Sequence, residues 1–190
     1  IHDDLIEQIY TVHVNGVDFS VGPHVKLVAG GAAGAGRALN EDYPTTVNYK
    51  ALFLGALAHL EATQIEVLVM GLPVNTMKKH KNFVLNEFRG EFDVCGKKVI
   101  VNNVFVIPQP IGAILHYGES INTQISADDT YLVNDFGYGT SDWVTAKGSK
   151  TIESRSDGET IGVSTILKSV ASLISRDIGR KFSEIERIDD

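Results

Sequence analysis

An aspartate, two alternate glycines, two hydroxyls and a second aspartate stand within eight residues: Asp135, Gly137, Gly139, Thr140, Ser141 and Asp142. Carboxylates hold hard cations directly or through water. Glycines let backbone N–H groups come close to an anion, because no Cβ stands in the way. The hydroxyls add donors. Apolar Tyr131, Leu132 and Val133 lead into Asp135, and Trp143, Val144, Thr145 and Ala146 lead away from Asp142. A strand that delivers a carboxylate into a glycine turn and then returns as a strand can hold a metal-bound polyphosphate. The same stretch also fits a tight hairpin whose glycines merely supply positive φ. Taken alone, residues 131–144 leave both readings open.

The bulk composition narrows the classes. A chain of 190 residues, 43% hydrophobic and 22% charged, can bury a core as one domain or two small lobes. A net charge of −7 argues against a general nucleic-acid surface, which needs a basic footprint. The single cysteine, Cys95, excludes an intrachain disulfide and fits a reducing, cytoplasmic setting. No apolar run approaches a membrane span, and the start does not read as a signal peptide. The first residue is Ile1 rather than Met, so the chain reads as a processed or shortened form.

Along the chain, alternation around Asn15 and Gly16 predicts a hairpin over residues 10–21. Residues 30–37 are rich in glycine and alanine but lack the Gly-Lys-Ser/Thr ending of a phosphate loop, and read as a small-residue loop. Thr45 or Thr46 caps a helix to about residue 62, with Leu52, Phe53, Ala56, Leu57 and Leu60 as its apolar face and His59 on its surface. Residues 65–70 read as a buried strand. Residues 76–89 read as an amphipathic helix with Lys78, Lys79, His80 and Lys81 near its start, where cations oppose the helix dipole and fit a solvated face or, as the alternative, a partner or ligand. Residues 91–106 give a second hairpin around Cys95 and Gly96, and residues 111–117 a short helix with Pro110 in its first turn. After the 131–144 unit come a strand at 150–154, a turn at 156–158 and a helix within 161–180. Ile166, Val170, Leu173, Ile174 and Ile178 mark that helix's apolar face, and the acidic tail 184–190 reads as frayed.

Three separated stretches resemble one superfamily. Asp135, Phe136, Gly137, Tyr138, Gly139, Thr140, Ser141 and Asp142 resemble the second phosphate motif of the actin-like ATPases. Residues 107–118, with Gln109 between Pro108 and Pro110, resemble the connecting helix before it, which in actins begins with a water-orienting glutamine. Residues 67–75, through Gly71, Leu72 and Pro73, resemble the strand-to-helix junction of the plasmid-segregation actins, the ParM/StbA family, and within it the PRTRC-type members. Residues 160–164 fit the helix start that follows.

The resemblance implies an α/β actin-like ATPase (ribonuclease H-like) fold of two lobes, present in part. Residues 1–120 would be the remainder of the first lobe, and residues 121–190 the start of the second with its phosphate loop. It implies ATP and Mg²⁺ in a cleft, self-association into filaments, and an adaptor protein bound to plasmid DNA, without direct nucleic-acid contact. By position, Asp135 would hold Mg²⁺, usually through water, and Gly137, Tyr138, Gly139 and Thr140 would surround the β- and γ-phosphates. Gln109 would orient the attacking water, and Asp142 would brace the turn or settle metal and water. Glutamine is a poor base, so its role would be positioning. The first phosphate loop and the glycine-rich adenine motif of the family have no counterpart here, so the chain supplies one wall of such a site. Two other functions fit the same fold. One is a non-catalytic scaffold or adaptor, and the other a small-molecule kinase such as a sugar or acetate kinase.

Overall fold

The computed structural model describes residues 8–25, 41–60, 62–182 and 188. The expectations for the first seven residues, for the loop 30–37 and for nearly all of the acidic tail lie outside the described residues. The chain divides into two compact units. One is Ile1–Met70 with Lys78–Val106, and the other is Gly71–Met77 with Ile107–Asp190. The expected boundary near residue 120 thus falls inside the second unit. The reason is the helix before it, whose apolar side chains pack on the strands that follow.

In the first unit, β1 (Tyr10–Val14) and β2 (Val17–Val21) pair antiparallel. Asn15 at φ 50° and Gly16 at φ 84° form the turn, as the left-handed positions of a two-residue hairpin require. Helix α1 (Val47–His59) starts at Thr46, whose hydroxyl oxygen accepts from the Tyr49 N–H at 3.2 Å. Its buried face is Ala51, Phe53, Leu54 and Leu57. Leu52 and Leu60, expected in the core, are 54% and 48% exposed. Packing partners decide this. The Phe53 ring sits 4.7 Å from that of Phe88 and 5.0 Å from that of Phe92. Gly55 also admits Val21, whose Cγ2 would lie 2.3 Å from any added Cβ. His59 is exposed as expected, with Nδ1 3.0 Å from the Tyr10 hydroxyl.

A three-stranded sheet runs in the order β3 (Gln64–Leu72), β5 (Lys97–Pro108), β4 (Gly90–Val94). The expectation of a buried β3 is corrected: among the described residues it is an edge strand, and Val67 and Val69 are more than half exposed. A short apolar run cannot by itself say how many faces are covered. Helix α2 (Met77–Glu87) carries the basic residues. Lys79 pairs with Asp42 at 2.7 Å, and the buried His80 places Nε2 3.2 Å from the same carboxylate, so an acidic turn takes up part of this charge.

In the second unit, α3 (Gln109–Ser120) follows Pro108 at its N-cap position, with no side-chain cap, and carries Pro110 in its first turn. Strands β6 (Thr130–Phe136) and β7 (Ser141–Lys147) pair antiparallel, and β7 also pairs with β8 (Lys150–Thr151) and β9 (Asp157–Glu159). The expected strand at 150–154 is therefore cut short, and the expected turn at 156–158 is extended. The Ser156 hydroxyl causes both: it donates to Ile152 O at 2.9 Å and accepts from Thr145 N at 3.0 Å. This closes a 3₁₀ turn (Glu153–Arg155) and returns the chain to β7. The core joins Ile111 and Ile114 of α3 to Val144 and Ala146 of β7, with Val74, Tyr131 and Val133 against them.

Helix α4 (Val163–Ile178) ends on Gly179 at φ 67°. It buries Ser164, Leu167 and Ala171, while the expected core residues Ile166, Leu173 and Ile178 are exposed. Two small side chains flanking Leu167 give the face that can approach closely.

Candidate functional site

The pairing of β6 with β7 sets Asp135 directly opposite Asp142. Directly paired residues point to the same side of a sheet, so the two carboxylates share one face. Val133 opposite Val144 and Tyr131 opposite Ala146 continue that face, and α3 packs on it. Gly158 of β9 pairs with Asp142 and extends the row. Asp135 is half-buried, whereas Asp142 is 3% exposed.

Residues 137–140 connect the two strands. The Gly137 N–H donates to Thr140 O at 2.9 Å and closes the turn. Gly137 does not adopt positive φ, so a left-handed turn is not why this glycine is needed. Close approach is: an added Cβ would stand 3.2 Å from Thr140 O. The Gly137 carbonyl accepts from Val163 N at 3.0 Å, and the Tyr138 carbonyl from Ser164 N at 2.9 Å. Two otherwise orphaned donors of the α4 N-terminus are thereby satisfied by the loop. In a planar trans peptide, C=O and the next N–H point in opposite directions. With the carbonyls of 137 and 138 turned to α4, the N–H groups of Tyr138 and Gly139 point away from it. Two successive backbone donors directed to one side can meet an anion.

One of the hydroxyls expected as further donors is used inside the fold. Ser141 donates to Ile161 O at 2.6 Å. Asp142 Oδ1 accepts from Val74 N at 2.7 Å. Burial pushes the Asp142 carboxyl above the ordinary range, against the pull of the Val74 hydrogen bond, and the charges of Asp135 and Asp157 add to the rise.

Gln109 opens α3 and is exposed. Gly71 faces it, with an added Cβ 2.8 Å from Gln109 Cγ. The segment Gly71–Met77 therefore touches Gln109 at one end and Asp142 three residues later. A cavity of about 550 Å³ lies elsewhere in the same unit. Leu115, Gly118, Ile125, Lys147 and Lys150 line it, at the ends of α3 and β7 far from the 137–140 loop.

The family profile described as the actin-like proteins N-terminal domain matches residues 1–112. The chain belongs to the actin-like proteins. AlfA, solved as a filament bound to AMPPNP, is 19% identical with a TM-score of 0.58, over 93% of this chain and 64% of its own. Ta0583, an archaeal actin homolog, is 17% identical with a TM-score of 0.66, over 92% of this chain and 57% of its own. A Bacillus thuringiensis ParM hybrid protein with ADP, containing two ParM mutants, is 16% identical with a TM-score of 0.51, over 90% of this chain and 25% of its own. These likenesses establish the actin-like α/β fold, and the actin-like chain spans less than two thirds of each of these relatives. No curated protein matches it.

Of the two carboxylates, Asp135 is the more accessible, and Asp142 is buried against Val74 N. Among the described residues no group of three or more His, Cys, Asp and Glu gathers to hold a metal. Mg²⁺ takes one or two carboxylates, keeps waters and completes its shell with phosphate oxygens. Half-buried Asp135 offers such a carboxylate. Sequence reasoning named Asp135, the loop, Gln109 and Asp142, but missed Val74, Gly158 and Gly162. An added Cβ on Gly162 would lie 2.5 Å from both the Gly137 and Tyr138 carbonyl oxygens. Its one signal in the sequence was a glycine just before a helix.

Proposed function

We propose that this chain is part of an actin-like ATPase that binds Mg-ATP at the 137–140 loop and assembles into filaments for plasmid segregation. The observation that supports this most is the fastening of the Gly137 and Tyr138 carbonyls to α4. It directs the N–H groups of Tyr138 and Gly139 to the side where phosphate oxygens would sit. Gly137, Tyr138, Gly139 and Thr140 form the backbone of that wall, and Asp135 would hold Mg²⁺, usually through water. Bound Mg²⁺ would neutralise charge on the transferred phosphoryl group. Gln109 would orient the attacking water without acting as a base.

The relatives support the ligand and the assembly: AlfA was solved as a filament bound to AMPPNP, and the ParM hybrid with ADP. The net charge of −7 favours an adaptor between the filament and plasmid DNA over direct contact. No helix among the described residues is long and apolar enough to cross a membrane, and a cytoplasmic place fits the reading. The test is titration of Mg-AMPPNP into the protein that carries this chain, with light scattering to follow assembly. Saturable binding and nucleotide-dependent scattering are expected. A flat titration would remove the ATPase reading and leave a scaffold.

A further inference from the structure

We infer that Asp142 is a positioning residue rather than a ligand: it fastens the segment Gly71–Met77 to the β6–β7 hairpin, so that one short segment sets both the phosphate loop and Gln109. This rests on the reading of residues 137–140 as a phosphate loop.

Geometry carries it. The Val74 N–H opens the 3₁₀ turn Val74–Thr76, where a helix start leaves its donors without partners. Asp142 supplies the acceptor at 2.7 Å, across 68 residues of sequence. Thr76 donates its hydroxyl to Pro73 O at 3.1 Å and keeps the turn closed. Gly158 makes room for the carboxylate, because an added Cβ there would lie 2.3 Å from Asp142 Oδ1. Val74 itself packs on the α3–β7 core, which fixes the height of its N–H. Three residues earlier, Gly71 lies against Gln109 Cγ. A carboxylate that is buried and already bonded to the Val74 N–H is poorly placed to take a hydrated cation, since giving up that bond leaves a backbone donor unpaired. Half-buried Asp135, opposite it in register, has no such engagement among the described hydrogen bonds.

Two measurements decide it. The first needs no nucleotide: amide hydrogen exchange of ¹⁵N-labelled chain, read at Val74. Protection should fall about tenfold or more in Asp142→Ala and stay within about threefold in Asp142→Asn, whose Oδ1 still accepts. Gly158→Ala displaces the carboxylate without removing its charge, and should cost Val74 the same protection even if Asp142→Ala fails to fold. The second is Mg-AMPPNP affinity. Asp142→Asn should bind within about threefold of the parent, while Asp135→Asn should lose more than about tenfold. The inference is overturned if Val74 exchanges equally in the parent and in the displaced variants. It is also overturned if Asp142→Asn loses nucleotide as fully as Asp135→Asn. If the parent binds no nucleotide, the phosphate-loop reading falls alone, and the exchange at Val74 still decides whether Asp142 makes the fastening.

Discussion

Replacing Gly162 by alanine should detach the 137–140 loop from α4. The new Cβ would stand 2.5 Å from the Gly137 and Tyr138 carbonyl oxygens and 2.6 Å from the Tyr138 carbonyl carbon. All three are backbone atoms, so no side chain can swing aside, and relief requires moving the loop or the helix start. Such overpacking costs about 1–3 kcal/mol. The movement also breaks two hydrogen bonds, Val163 N to Gly137 O and Ser164 N to Tyr138 O, worth about 0.5–1.5 kcal/mol each. The total is roughly 2–6 kcal/mol. Trp143, the only tryptophan, lies in β7, so its fluorescence reports on this unit. With a urea slope of about 2 kcal/mol per molar, the midpoint should fall by about 1–3 M. Gly112→Ala is the control: it sits inside α3 with nothing within 4 Å of its added Cβ, and should stabilise by up to about 1 kcal/mol. A Gly162→Ala midpoint within about 0.3 M of the parent would refute the contact between loop and helix.

The carboxyl titrations of Asp142 and Asp42 should move in opposite directions. Burial raises Asp142, so the stability it contributes is greatest at low pH and is lost as pH rises from the ordinary carboxylate range through its raised value. The Lys79 hydrogen bond lowers Asp42, so its contribution is present above the ordinary range and is lost as pH falls through its lowered value. Carbon-13 NMR titration reads both, and Lys79→Met should return Asp42 toward the ordinary range without moving Asp142. Thr46→Ala should cost about 1 kcal/mol by removing the acceptor for the Tyr49 N–H at the start of α1. Thermal melting followed by circular dichroism checks it, and an unchanged melt would mean that solvent caps that helix equally well.

Local chemistry was legible where a few adjacent residues decide the outcome. Asn15 and Gly16 dictate their turn, Thr46 marks its helix start, and Pro110 fits its first turn. The order of aspartates and glycines also foretold the β6–β7 hairpin. Helix faces were less legible. Helix α1 is apolar on several sides, so Leu52, Ala56 and Leu60 are as regular a stripe as Ala51, Leu54 and Leu57. Only the access that Gly55 gives Val21 and the ring cluster of Phe53, Phe88 and Phe92 choose between them. On α4 a stripe of large side chains drew attention from the smaller Ser164 and Ala171, which are the ones buried. The contact of Asp142 with Val74 has no local signature, because the partners lie 68 residues apart. Gly158 read as a turn residue because its use, leaving space for a carboxylate on the next strand, depends on register.

The central claim is that the 137–140 loop and Asp135 hold a metal-bound nucleotide. Isothermal titration of Mg-ATP into the protein that carries this chain, beside its Asp135→Ala variant, tests it most directly. The account predicts saturable binding by the parent and a loss of more than about tenfold in the variant, with the difference disappearing when Mg²⁺ is chelated. Equal affinity of parent and variant for Mg-ATP would contradict it.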